Sequence, residues 1–316
     1  MTTTGKIVIV GGGVTGLTTG VALLEAGWPV HLVAAEIPGP TSVAAGAMWG
    51  PYMVEPWTKV RRWSLVSLDV FRELSGAPVT GVRMVSGVEA ARNSVSAPEW
   101  STLLPDFREC SPGELPAGFV GGFRFTVPLI DMPLYLQYLL ERFRGAGGTV
   151  RRQFVGSLDE IDDGSVIVNC AGLGAGKLAA DDGVRPIRGQ HVVVKNPGIT
   201  EFFSEDTGPS SDLVCIYPHG ETVILGGTAI DGEASLQEDP VAARAIVERC
   251  AAVEPRLAKA PVVASRVGAR PTRSEVRVEA DSRSDGVPVL HNYGHGGSGV
   301  TLSWGCAREI VGMLPS

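Results

Sequence analysis

Two features of this sequence could do chemistry, and they lie at opposite ends of it. Near the start, Gly11, Gly13 and Gly16 fit G-x-G-x-x-G. The first glycine allows a tight turn, the second lets backbone approach a pyrophosphate, and the third lets a helix pack on a strand. Near the end, Gly268-Ala-Arg-Pro271 precedes the glycine-rich stretch His291-Asn-Tyr-Gly-His-Gly-Gly-Ser-Gly299. The planar fork of Arg270 matches a carboxylate bidentately and stays charged at working pH. At the end of an apolar strand it either faces a cavity or makes a surface or domain-bridging salt bridge.

The elements around the first motif are those that dinucleotide binding requires. Lys6 to Val10 is a β-branched run that predicts a buried parallel strand. Val14 to Glu25 has helical periodicity and stops before Gly27. The start of that helix, at Val14 and Thr15, offers free N–H groups and a positive dipole to phosphate. Val30 to Ala34 predicts a second strand. Glu36 follows it, 20 residues after Gly16, and is either the ribose-binding acid or a solvated loop carboxylate. The motif does not choose between FAD and NAD.

Composition narrows the function classes. The chain has 316 residues, 44% of them hydrophobic, enough for two domains or one large one. A net charge of −7 argues against a nucleic-acid partner. The five cysteines have no C-x-x-C or Cys/His metal spacing, so no metal is expected and a reducing cytoplasm is. The apolar start lacks the basic region and cleavage site of a signal peptide. No run reaches the ~18 apolar residues of a membrane helix.

Along the rest of the chain, Thr58 to Leu74, Met132 to Arg144, Pro240 to Val253 and Gly299 to Met313 read as helices. Asp131 is the expected N-cap of the second and Gly145 its stop. Strands are expected over Thr80–Ala90, Phe123–Leu129, Thr149–Val155 and Ser165–Ala171, the last running into a glycine turn at Gly172–Gly176. Further strands are expected over Gly189–Lys195, Leu213–Tyr217, Thr222–Gly227, Val262–Arg270, Val276–Ala280 and Val287–Tyr293. Met48–Pro56 reads as an irregular loop and Asn93–Ala117 as a surface excursion. The strands near 6, 30, 150, 166 and 287 suit one parallel sheet, and the others look antiparallel. The expected fold is α/β: a Rossmann-type FAD-binding domain (1–50, 131–187 and 266–316) interleaved with a mainly antiparallel α+β substrate domain (51–130 and 188–265).

Five segments together resemble the D-amino-acid oxidase family of FAD flavoenzymes. They are Ile7–Gly16, Val43–Gly46 with Trp49–Tyr52, Ile167–Gly172 with Arg188–Gln190, Gly268–Pro271, and His291–Gly299 running to Cys306. They span nearly the whole chain in the family's order. The resemblance implies FAD as cofactor, an amino-acid substrate and O2. D-amino acids become imino acids by hydride transfer to the flavin. The imino acids hydrolyse to 2-oxo acids and ammonia, and peroxide is released. It also implies that Arg270 grips the substrate carboxylate, and that Gly296, Gly297, Ser298, Gly299 and Thr301 lie beside the flavin. Gly297 would receive the substrate amine on its carbonyl. Thr41, Ser42, Val43, Ala44, Ala45 and Gly46 would wrap the flavin, with Ala171 and Gly172 nearby. Met48 would sit near flavin and substrate side chain. His295 reads as a structural histidine, since this mechanism needs no strong base.

The chain departs from the family's pattern in places. A substrate-contacting tyrosine is usual on the strand before the central hairpin, and Cys215 stands there instead. Tyr217, two residues on, shares its face and is the expected substitute. Trp49 and Tyr52 are expected as pocket walls. Asp206–Asp212 is a short stretch where the family has a long lid. The end of the chain lacks the Ser-Lys-Leu peroxisomal signal, which fits a cytoplasmic bacterial protein. The expected substrates are neutral or apolar D-amino acids. The alternatives are a glycine- or sarcosine-type oxidase, a specialised biosynthetic one, a D-aspartate oxidase using His219 as second cation, or a catalytically silent flavin protein. No membrane or nucleic-acid partner is expected, and a homodimer is allowed.

Overall fold

The computed structural model describes residues 5–93, 96–162, 166–208 and 212–315. Its parallel part is built on β1 (Ile7–Val10), flanked by β2 (Val30–Ala34) and β7 (Val166–Asn169). Beyond them lie β6 (Thr149–Arg152) and β14 (Pro288–His295), and all four neighbouring pairs are parallel. Ile7 and Ile9 face one core with Leu17, Val21 and Leu302, while Val8 and Val10 face another with Val155 and Leu158. Burial on both faces explains the unbroken apolar run. On the first face pack α1 (Val14–Glu25), α3 (Trp57–Leu74), α4 (Met132–Gly145) and α7 (Gly299–Gly312), with α1 and α3 both against α7. Two short helices, α2 (Pro40–Ala44) and α5 (Gly174–Leu178), sit after β2 and β7.

The rest of the sheet is largely antiparallel. Its strands are β3 (Val82–Ala91), β4 (Arg108–Glu109), β5 (Gly121–Ile130), β8 (Arg185–Lys195), β9 (Phe202–Glu205), β10 (Cys215–His219), β11 (Thr222–Gly226), β12 (Ile230–Asp231) and β13 (Val262–Ser282). The order β4-β5-β3-β9-β10-β11-β8-β13 continues directly into β14. One face is covered by α6 (Pro240–Val253): Val88, Ala90, Val192, Val194, Phe203, Ile216, Val223 and Leu225 share a core with Ile246 and Cys250. Successive side chains on a strand alternate. So Glu89, His191, Ser204, Cys215 and Tyr217 project from the opposite face.

Several expectations need correction. Val262–Arg270 and Val276–Ala280 are one strand, carried past Pro271 by a register shift between Thr272 and Arg277. That strand joins the antiparallel and parallel parts. The strand at 166 ends at Asn169, and the glycine segment after it turns at Gly172 (φ +60°) into α5. Ser165 lies outside the described residues. The left-handed glycine behind α4 is Gly147 (φ +90°), not Gly145, and Asp131 holds the N-cap position without a side-chain hydrogen bond. The segment 93–117 is not all surface, since Trp100 and Leu104 are buried.

Candidate active site

One cavity of about 750 Å³ runs from the turn at Gly11–Gly13 to Arg270. Its first end is shaped by close backbone approach. Gly11 has φ +128°, and a Cβ there would collide with the Cys170 carbonyl. A Cβ on Gly12 would lie 2.5 Å from the Glu36 carbonyl oxygen, and one on Gly13 would lie 2.9 Å from Ser42 Oγ. Gly16 does not line the cavity. Its bare Cα lets α1 sit against the Gly11 carbonyl. Gly13 is the N-cap of α1 and contributes no side chain, while Ser42 Oγ accepts from Val14 N–H at 3.0 Å. Val14, Thr15, Ala171, Gly172 and the exposed Glu36 line this end.

The middle is walled by small residues. Thr41, Ser42, Ala44, Ala45 and Gly46 line it, Val43 does not, and Thr41 Oγ1 donates to the Ala269 carbonyl at 3.2 Å. A Cβ on Gly268 would stand 3.1 Å from that of Ala44, so small residues on both sides let α2 lie against β13. Opposite are Gly296, Gly297, Gly299 and Thr301. A Cβ on Gly296 would collide with the Met53 carbonyl, and one on Gly297 with the Tyr52 ring. These glycines make room for the segment 50–53.

The hydroxyls expected beside the flavin have other partners. Ser298 Oγ donates to the Tyr52 carbonyl at 2.8 Å and accepts from the Tyr52 amide at 2.6 Å. Thr301 Oγ1 likewise donates to the Gly50 carbonyl at 3.1 Å and accepts from its amide at 3.2 Å. Both clamp the loop before α3 onto the start of α7. Ser298 is wholly buried and does not line the cavity, whereas Thr301 does.

At the far end the antiparallel strands form a floor. Direct register pairs run Glu89–Ser204, Ser204–Cys215, Cys215–Gly226 and Gly226–His191, a row across five strands. Tyr217 and Gly189 lie two residues along β10 and β8 on the same face. Arg270 reaches over this floor with its guanidinium against Gly189. Its Nη1 donates to the Thr228 carbonyl at 3.2 Å, and among the described residues no acid pairs with it. Burial pulls its pKa below that of a solvated guanidinium, opposed by the neighbouring Tyr52, Cys215 and Tyr217. Tyr217 Oη lies 3.3 Å from Ser204 Oγ, and burial raises the phenol well above its usual value, so it stays protonated. Burial pushes the Cys215 thiol up to about 12.

Met48 and Tyr52 line this end, but Trp49 does not. Trp49 is fully buried, donates from Nε1 to the Ser64 carbonyl at 3.1 Å, and packs edge-on against Trp100. Trp100 takes the expected place in the wall. His219 is buried and does not line the cavity, so it offers no second cation. His295 lines the cavity, with Nε2 3.0 Å from Asn292 Oδ1, and burial pulls its pKa to about 4. Asn292 in turn donates to Thr19 Oγ1 at 3.0 Å. Of the stretch 206–212, residues 209–211 lie outside the described residues, and Asp206 lines the cavity.

Sequence reasoning missed Glu89, His191, Ser204 and Asp206. His191 has Nδ1 3.1 Å from the Ala44 carbonyl, and burial pulls its pKa to about 4. The available signal was a lone ionisable residue inside an apolar strand, as in Gly87-Val-Glu-Ala-Ala91 and Gly189-Gln-His-Val-Val193.

Comparison with known proteins agrees with this geometry. The family description "FAD dependent oxidoreductase" matches residues 6–313. A D-amino-acid oxidase of Rubrobacter xylanophilus is 47% identical over 311 residues, 98% of this chain and 95% of that protein. One from Streptomyces coelicolor is 46% identical over 310 residues, covering 97% and 96%. Among solved structures, glycine oxidase from Bacillus cereus superposes with a TM-score of 0.82 over 98% of this chain and 94% of that one. At 18% identity it shares the fold.

Proposed function

This chain belongs to the FAD-dependent oxidoreductase family, and we propose that it oxidises D-amino acids to 2-oxo acids, ammonia and hydrogen peroxide. The residues present fit the cofactor: a glycine turn packed too closely on neighbouring protein to admit any Cβ, at the start of a helix whose N-cap residue carries no side chain, opens into a cavity large enough for a dinucleotide. Gly11, Gly13, Val14 and Thr15 would hold the pyrophosphate and Glu36 the ribose. Thr41, Ser42, Ala44, Ala45 and Gly46, with Ala171, Gly172, Gly296, Gly297, Gly299 and Thr301, would surround the flavin. Bound FAD supplies a two-electron acceptor that O2 can reoxidise. Segments 1–50, 131–187 and 266–316 serve the cofactor in this reading, and 51–130 and 188–265 the substrate.

One observation carries the substrate assignment. Among the described residues, Arg270 holds a charged fork in the cavity with only a backbone carbonyl as partner. An unpaired buried cation is costly, and a substrate carboxylate completes it bidentately. The Tyr217 hydroxyl adds a donor, and the Gly297 carbonyl an acceptor for the amine. His191 and His295 line the site as weak bases, each held down to about 4. The substrate amine therefore reacts as the neutral form drawn from solution, and the chain's work is orientation. Five free thiols suit a reducing cytoplasm. No described helix is long and apolar enough to cross a membrane.

The test is to add D- and L-amino acids, glycine and sarcosine anaerobically to the purified yellow protein. Bleaching by D-amino acids alone is expected. Bleaching by L-amino acids alone, or by glycine and sarcosine alone, would overturn the assignment.

A further inference from the structure

Glu89 is an anomaly of the cavity floor. It is 7% exposed, lines the cavity, and among the described residues its carboxyl has no hydrogen-bond or ion-pair partner. The contrast with Glu205 is direct. That residue is equally buried, yet it takes Arg92, the Thr207 hydroxyl and the Val214 amide. Asp206 also faces the cavity, and among the described residues its carboxyl has no hydrogen-bond or ion-pair partner. Buried carboxyls are normally satisfied by the protein, so this one points to a ligand.

Its position indicates which part of a ligand it meets. The guanidinium of Arg270 lies over β8, and the order β8-β11-β10-β9-β3 puts four strand spacings between there and Glu89. At about 4.8 Å per strand that is roughly 19 Å along the sheet, shortened by the Glu89 side chain reaching inward. A substrate held by Arg270 has its α-amine too close to its carboxylate to reach so far. The end of a long side chain can. We propose that Glu89, with Asp206 beside it, reads the end of the substrate side chain, and that the enzyme takes D-amino acids ending in an ammonium or guanidinium group.

This inference rests on the D-amino-acid reading above and extends its expected range of neutral and apolar side chains. Burial, and then the charge of Asp206, hold the Glu89 carboxyl up at about 8. A cation arriving beside it removes the like-charge penalty and favours the carboxylate. His219, the cation that an acidic side chain would need, faces no part of the cavity.

The experiment compares D-lysine with D-norleucine, which share a four-carbon side chain and differ in the terminal ammonium. Oxygen uptake gives kcat/KM for holoenzyme, E89Q and E89L. In E89L the D-lysine to D-norleucine ratio should fall at least about tenfold, with E89Q between E89L and the parent. If E89L does not fold, E89Q alone decides by the same ratio. An unchanged ratio overturns the proposal. So does oxidation of D-norleucine without D-lysine by the parent enzyme, which leaves the D-amino-acid reading standing. Oxidation of neither overturns both.

Discussion

Arg270 rests its guanidinium on Gly189. A Cβ on Gly189 would stand 2.5 Å from Nη1 and 2.6 Å from Nη2. The missing side chain on β8 thus sets the height of the cation above the cavity floor. Gly189→Ala should displace the fork and lower kcat/KM with flavin content unchanged. Normal turnover by Gly189→Ala would mean that the fork has freedom the packing does not suggest.

Arg270→Ala should keep its flavin and lose substrate capture. Charge-assisted hydrogen bonds contribute about 1.5–3 kcal/mol each, so losing two lowers kcat/KM at least about a hundredfold. Arg270→Lys should restore little, because an ammonium cannot reproduce the fork. Steady-state kinetics beside flavin absorbance separate capture from cofactor loss.

Tyr217→Phe should weaken a carboxylate inhibitor by about 0.5–1.5 kcal/mol. The Ser204 hydroxyl, 3.3 Å away, can donate to the phenol oxygen and leave its hydrogen for a carboxylate. Cys215→Ser should bind the same inhibitor nearly as the parent does, because a thiol held at about 12 is neither ion nor strong donor. Titration of the flavin spectrum with inhibitor reads both. The reverse pattern would assign the pocket's hydrogen bond to position 215.

Ser298→Ala should loosen the loop 50–53. It removes one acceptor and one donor from the Tyr52 backbone, in a position that is wholly buried. Leaving such groups unpaired costs about 1–3 kcal/mol. Chemical denaturation should show that loss, and limited proteolysis should cut faster near Tyr52. Equal stability would show that water replaces the hydroxyl.

Stability should depend on pH through Glu89. Its folded pKa, about 8, lies above the ordinary 4.5. Between those values the folded chain holds a proton that the unfolded chain has released, so stability falls as pH rises. The contribution is complete below pH 4.5 and lost as pH passes 8. Asp206 and the Tyr217 phenol face the same carboxyl, and the phenol stays protonated throughout. Relative to E89Q, the parent's Tm should drop between pH 5 and pH 8. Parallel Tm profiles would show that Glu89 ionises without penalty.

Much of this protein was legible in the residues alone. The turn at Gly11–Gly16, the helix Val14–Glu25 and the strand Val30–Ala34 follow from local rules: apolar period, a glycine where backbone must approach, a glycine after a helix end. The set of parallel strands followed from the helical segments that neighbour them in sequence. Arg270 stood out because a guanidinium in an apolar strand needs a partner. Tertiary structure decided what local pattern cannot reach. Ser298 and Thr301 spend their hydroxyls on residues about 250 positions away. Trp49 and Trp100 exchanged places between core and wall. Glu89, Ser204, Cys215 and His191 became one row only when strand order and register brought five strands side by side. Alternation tells which residues share a face of one strand. Which strand lies next, and in what register, is set by long-range pairing that no window of the sequence contains.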